Sequence, residues 1–324
     1  LTFVVLFTTM MSWAITPKEV TWSMVGNRTS MGLSASAYGA VIWGDYNNDG
    51  NLDAFHIAGQ NTPRVGLHKN NGDGTFALIT TTIPPLKRAS AVFLDYNNDG
   101  NLDLLVAGQD ASGVIQTILY KNSGAPDYTF VKDEANTNSL VNVYLESDYS
   151  SRILEAFDYN NDGWTDILIN GNHGASSWTE TGSGRVVALY KNNKGTFELQ
   201  TTPVTNTGNY HFHSVNGGSI HVGDVNNDGF DDIIVSGYLD GTGGVTNLYI
   251  NQQDGTFLHH NPTTFTGHYQ GETLFVDING DGSNDIVEIG PGFANLFINN
   301  QENPITKIES STSNLTGGQV RIAA

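Results

Sequence analysis

The nine residues DYNNDGNLD stand at positions 45–53 and return unchanged at 95–103. Three variants follow: DYNNDGWTD from Asp158, DVNNDGFDD from Asp224 and DINGDGSND from Asp277. A chain that comes back five times to one acidic, glycine-bent loop has to build one local structure five times. The repeat therefore constrains the fold more than any other feature.

The surroundings of the loop repeat with it. An apolar run closed by glycine follows each one (AFHIAG, LLVAG, ILING, IIVSG, IVEIG), and after a variable gap comes LHKN, LYKN, LYKN, LYIN or LFIN. A hairpin signal such as NGDGTF or NKGTF comes next. Another apolar run precedes each loop (AVIWG, AVFL, ILEAF, SIHVG, TLFV). Successive loops start 50, 63, 66 and 53 residues apart. Four short strands per unit, repeated at this period, predict an all-β fold, a β-propeller of four-stranded blades.

The loop itself is built from oxygen. In the first copy Asp45, Asn47, Asp49, the carbonyl of Asn51 and Asp53 occupy positions 1, 3, 5, 7 and 9. Alternate positions of a tight loop converge on one point. Ca²⁺ takes six to eight such oxygens at about 2.3–2.6 Å, whereas Mg²⁺ keeps its waters and demands a stricter octahedron. Gly50 at position 6 allows the sharp turn. The same reading gives Asp95, Asn97, Asp99, Asn101 and Asp103; Asp158, Asn160, Asp162, Trp164 and Asp166; Asp224, Asn226, Asp228, Phe230 and Asp232; and Asp277, Asn279, Asp281, Ser283 and Asp285. About five structural Ca²⁺ ions are expected. An EF-hand would need a Glu at position 12 between helices. Position 12 is His56, Val106, Ile169, Val235 and Glu288, and the flanks read as strands, so the Glu288 match is incidental. Asx-rich turns without an ion are the competing reading, but they leave three like charges per turn unexplained.

Charge and composition agree with bound cations. Net charge is -19, and 15 of the 33 carboxylates are the first, fifth and ninth residues of the loops. That sign excludes nucleic acid and anionic lipid as partners. No cysteine is present, so disulfides and thiolate-bound zinc are excluded. The segment LTFVVLFTTMMSWA, residues 1–14, is apolar, too short to span a bilayer, and ends in a small-x-small pattern. It reads as part of a signal peptide, leaving 15–324 as the repeat domain. The expected location is secreted, periplasmic or cell-surface.

The run DYNNDGNLDLLVAG…LYKN…GTF resembles the FG-GAP/VCBS repeat, the propeller unit of integrin α-subunits and of many secreted bacterial proteins. The resemblance spans roughly residues 20–320. It implies that the acidic loop joins the first two strands of a blade and holds structural Ca²⁺. There is no RGD and no inserted adhesion domain. VTWSMVGNRTSMGL looks like the end of a preceding unit and GGQVRIAA like the start of a following one. The expectation is therefore a piece of a larger ring of about seven blades, with a five-bladed ring as the alternative.

Antiparallel alternation puts the acidic loops on one face and the connections between strands 2 and 3, and between blades, on the other. Length and composition vary on that second face, in segments 133–151, 170–185 and 201–218. They carry Tyr144, Tyr149, His173, Trp178, Tyr210, His211 and His213, rings beside polar amides that suit a glycan or an extracellular protein. His211 and His213 would share a face on an extended strand. There is no Ser-His-Asp signature and no HExxH. Glu146, Asp148 and Glu180 are the carboxylates outside the loops closest to this face. A binding or adhesion module is the leading reading, and a propeller scaffold for a polysaccharide lyase or hydrolase is the alternative.

Overall fold

The computed structural model describes residues 39–59, 62–146, 152–174, 184–205, 211–260, 265–269, 271–290, 292–299 and 306–308. The segment read as a signal peptide lies outside them, as do Tyr149, Trp178 and Tyr210.

Five four-stranded antiparallel sheets follow one another along the chain, each a simple meander. The first holds β1 (Gly39–Gly44), β2 (Asp53–Ala58), β3 (Arg64–Asn70) and β4 (Phe76–Ile79). The second holds β5 (Lys87–Leu94), β6 (Asp103–Gln109), β7 (Ile115–Asn122) and β8 (Phe130–Lys132). A four-residue helix, α1 (Glu134–Thr137), follows it, capped by the Asp133 side chain. The third holds β9 (Leu154–Phe157), β10 (Asp166–Asn172), β11 (Arg185–Asn192) and β12 (Phe197–Leu199). The fourth holds β13 (Asn216–Gly223), β14 (Asp232–Leu239), β15 (Gly243–Asn251) and β16 (Phe257–His260). The fifth holds β17 (Glu272–Val276), β18 (Asp285–Gly290), β19 (Phe293–Ile298) and β20 (Thr306–Ile308). The first strands pack in series, β1 on β5, β5 on β9, β9 on β13 and β13 on β17. The sheets are thus the blades of a β-propeller with the first strands innermost.

The second strands are buried on both faces, so they read as continuous apolar runs and not as alternating ones. Their two faces serve two different interfaces. Phe55 and Ile57 join Leu104 and Val106 between blades one and two, and Leu105 and Ala107 join Ile167 and Ile169 between blades two and three. Leu168 meets Ile233 and Val235, and Ile234 meets Ile286. The core is therefore a set of layers between blades, not one central mass. At the two ends of the series the pattern changes: Val41 and Trp43 of β1 are half exposed, and so is Ile278.

Candidate functional site

Each acidic loop joins the first and second strand of its blade, as expected. Position 4 is left-handed in every copy (Asn48, Asn98, Asn161, Asn227 and Gly280), and so is the glycine at position 6. A Cβ on Gly50, Gly100, Gly163, Gly229 or Gly282 would touch nothing within 4 Å, so backbone conformation, not space, demands glycine there.

The carboxylates first organise their own loop. Asp45 accepts the N–H groups of Asp49 and Gly50 at 3.0 and 2.8 Å, and Asp49 accepts that of Asn51 at 3.0 Å. Asp95, Asp158, Asp224 and Asp277 hold the same pair of amides in their loops. Position 9 is fully buried in all five copies. Its carboxylate accepts the N–H of the asparagine that ends strand three, Asn70, Asn122, Asn192 and Asn251, or directly follows it, Asn299, at 2.6–2.8 Å. Burial, reinforced by the neighbouring loop carboxylates, pushes Asp53 up to about 6 and Asp103, Asp166 and Asp232 up to about 7.

Among the described residues no group of three or more His, Asp or Glu side chains is gathered so as to hold a metal ion. The carboxylates are spread over backbone amides instead of meeting at one point. The donor set nonetheless fits a hard cation. It is all oxygen, each carboxylate oxygen that accepts one N–H keeps a second lone pair, and Asn97 Oδ1 in the second loop is buried with no hydrogen-bond partner. Glu288 at position 12 of the last loop plays no such part. It is buried in β18 and accepts the N–H groups of Thr266 and Gly267 and the Asn295 amide.

The asparagine ending strand three is the residue that sequence reasoning passed over. Its side-chain amide donates to the position-8 carbonyl of its own loop and to the position-2 carbonyl of the preceding one. Asn122 reaches Leu102 and Tyr46 at 3.1 and 2.8 Å, Asn192 reaches Thr165 and Tyr96 at 2.9 and 2.7 Å, and Asn251 reaches Asp231 and Tyr159 at 3.1 and 2.8 Å. Asn299 repeats the pair with Asn284 and Val225. Position 4 adds a second tie, since Asn98 and Asn161 donate to the glycine carbonyl of the next loop, Gly163 and Gly229, at 2.8 Å. Position 2 adds a ring contact, as Tyr46, Tyr96 and Tyr159 meet Phe130, Phe197 and Phe257 of the next blade at 5.8–6.0 Å. The signal was present in the recurring final Asn of the L-x-x-N segments.

The opposite face is assembled from unrepeated residues. Arg185, at the start of β11, is buried between Glu146 of the preceding connection and Asp240 of the next blade. Its Nε lies 2.8 Å from Glu146 Oε2 and its Nη1 2.7 Å from Asp240 Oδ2. Tyr144 is half-buried and pinned by backbone bonds to Asn172 at 3.0 and 3.2 Å. His173 donates its backbone N–H to Gly184, and burial lowers its imidazole pKa. His211 and His213 do not act as a strand pair, because 211–215 form no ladder and the alternation rule has nothing to act on. His211 lines a cavity of about 100 Å³ with Arg185, Leu199, Pro203 and Phe212. His213 instead turns its Nδ1 to Tyr249 Oη at 2.8 Å. Tyr238 and Tyr269, which sequence reading did not single out, are exposed and meet edge to face at 5.5 Å. No periodic signal marks them, since each sits at the end of a strand or in a connection.

With this geometry established, comparison with known proteins gives the class. The FG-GAP-like repeat model matches at residues 45–106, 95–169, 158–235 and 224–287, and the chain belongs to that family. No curated protein matches it. Among solved structures it is similar to a lectin of Agrocybe aegerita that recognises non-reducing terminal N-acetylglucosamine, with 19% identity and a TM-score of 0.54 over 85% of this chain and 67% of that one. A likeness at that identity speaks for the propeller fold. The biofilm matrix protein Bap1 of V. cholerae aligns at 14% identity over 74% of this chain and 42% of its own, with a TM-score of 0.32, too low to carry an argument. No helix among the described residues is long and apolar enough to cross a membrane.

Proposed function

We propose that the chain is a secreted, periplasmic or surface-exposed propeller, stiffened by Ca²⁺ in its acidic loops, that binds a glycan or an extracellular protein through the face opposite those loops. Asp45, Asn47, Asp49, the Asn51 carbonyl, Asp53 and their counterparts would hold the ions, which supply charge neutralisation and nothing else. The observation that carries the binding reading is the exposed Tyr238–Tyr269 pair, on the same side as the Glu146–Arg185–Asp240 clamp. Exposed rings beside a fixed ionic group offer a stacking surface and hydrogen-bond acceptors together, which is how sugars and protein loops are held. The structural neighbour that is a lectin supports the same class of ligand.

The test is a glycan array followed by titration of the best hit, using wild type and the Tyr238→Ala/Tyr269→Ala double variant. Binding should weaken by roughly fivefold or more, the usual threshold for a contact that matters, while the melting curve stays nearly unchanged. A double variant that binds like wild type would move the site elsewhere on the propeller.

A further inference from the structure

The five loops share their acids but not their neighbours. Two residues past the leucine of each L-x-x-N segment, directly before the closing asparagine, stand Lys69, Lys121, Lys191, Ile250 and Ile298. The three lysines reach the position-5 carboxylates of their own loops: Lys69 Nζ lies 3.2 Å from Asp49 Oδ2, Lys121 Nζ 3.3 Å from Asp99 Oδ2, and Lys191 Nζ 3.2 Å from Asp162 Oδ2. Ile250 and Ile298 offer no charge to Asp228 and Asp281.

A second difference follows the first in four of the loops, the third being apart because its Asn160 amide bonds neither position 5 nor position 9. Where lysine holds position 5, in the first and second loops, the position-3 amide turns away to position 9, with Asn47 donating to Asp53 and Asn97 to Asp103 at 3.0 Å. Where lysine is absent the amide turns to position 5, with Asn226 donating to Asp228 at 3.0 Å and Asn279 to Asp281 at 2.8 Å. Gln253 adds a further amide to Asp228 at 3.2 Å. In those two loops neutral amides stand where the others place an ammonium, and position 9 takes the N–H of position 2, from Val225 and Ile278, a bond that the third loop also makes from Tyr159. Among the described residues, the carboxylate charge of loops four and five is therefore met by dipoles alone.

We infer that Lys69, Lys121 and Lys191 are resident counter-cations that stand in for part of the divalent ion's charge, so that the loops of blades four and five are the high-affinity Ca²⁺ sites and those of blades one to three the weak ones. This rests on the Ca²⁺ reading of the loops. An ammonium within about 3 Å of a ligand carboxylate repels an incoming divalent ion and lowers the field that attracts it. Partly exposed and screened, the penalty is worth roughly tenfold in affinity per loop. The lysine stems lie along the surface of strand three, so exchanging them leaves the core intact.

Calorimetric titration of Ca²⁺ into chelator-stripped protein should resolve two classes, two tight sites and three weaker by about tenfold or more. The triple variant Lys69→Met/Lys121→Met/Lys191→Met should merge them into one tight class of five. Tb³⁺ provides a second readout, because the first three loops carry Tyr46, Tyr96 and Tyr159 at position 2, and the third also Trp164, where the last two carry Val225 and Ile278, so sensitised emission is weighted to the first three. Emission should rise late in a wild-type titration and early in the triple variant. Five equal sites, unmoved by the methionines, would overturn the division and leave the Ca²⁺ reading standing. No heat and no Tb³⁺ emission in either protein would overturn both.

Discussion

The two faces of the propeller are held by different kinds of bond. On the acidic face bonds recur with the same atoms: position 9 to strand three five times, strand-three asparagine to the preceding loop four times, and position 4 to the glycine carbonyl of the next loop three times. On the other face repetition is sparse: Tyr190 and Tyr249 each accept a backbone N–H from the connection before their blade, from Val141 at 2.9 Å and His213 at 2.8 Å, while the ionic contacts are made once. The Arg185 clamp joins three successive units, and no other blade repeats it among the described residues. Repetition on one face fixes the spacing and rotation of the blades. That relieves the opposite face of architectural duty and lets its connections diverge in length and chemistry. Function is expected where repetition stops.

The largest effect should come from breaking the repeated face at its most buried point. Asp166→Ala strips acceptors from the N–H groups of Asn192 and Tyr159, held at 2.6 and 3.1 Å in a buried setting. Two orphaned donors cost about 2–5 kcal/mol. Melts should show this loss in chelator as well as in Ca²⁺, since the amides need the carboxylate whether or not an ion is bound. A loss seen only with Ca²⁺ present would make position 9 an ion ligand and no more, and the comparison of faces would lose its structural half.

A middling effect belongs to the variable face. His268 is buried there, its Nε2 2.8 Å from Thr273 Oγ1, and burial lowers its pKa from near 6.5 to about 4. Between those values the unfolded chain carries a proton that the folded chain refuses. Its contribution to stability is full above pH 6.5 and is lost as pH falls towards 4, on the order of 3 kcal/mol across the window. His268→Gln should flatten the stability–pH profile by up to one proton between pH 6.5 and 4, read from denaturant midpoints. An unchanged slope would place the titrating group elsewhere.

How much of this was legible beforehand divides along the same line. The sheets, their strand count and the side on which the loops emerge could all be read, because periodic features repeat in the sequence as they do in space. Asn122 and Asn192 were visible as letters but not as rivets. Their partners, Tyr46 and Tyr96, lie 76 and 96 residues away, and only the stacking of blades brings them together. The lysine beside Asp99 was overlooked for a related reason: it comes from strand three, outside the nine-residue motif. The Arg185 clamp and the Tyr238–Tyr269 pair occur once, and a pattern reader has no second copy to compare. Expecting His211 and His213 to share a face assumed a strand where the chain makes an irregular connection.

The smallest effect uses an exchange that the chain has already made. Position 4 is asparagine in four loops and Gly280 in the fifth, and all five are left-handed there. Asn161→Gly keeps that conformation while removing the 2.8 Å bond from Asn161 Nδ2 to the Gly229 carbonyl. The bond is solvent-exposed, so water replaces most of it, and the added freedom of glycine in the unfolded chain contributes the rest. The sum should be about 0.5–1.5 kcal/mol. The location of the loss matters more than its size. The tie runs between the loops of blades three and four, so hydrogen exchange should quicken in 158–166 and 224–232 and stay unchanged in 277–285. An equal rise in all loops would mean that the blades respond as one body, and that the bonds repeated along the acidic face act in concert, not joint by joint.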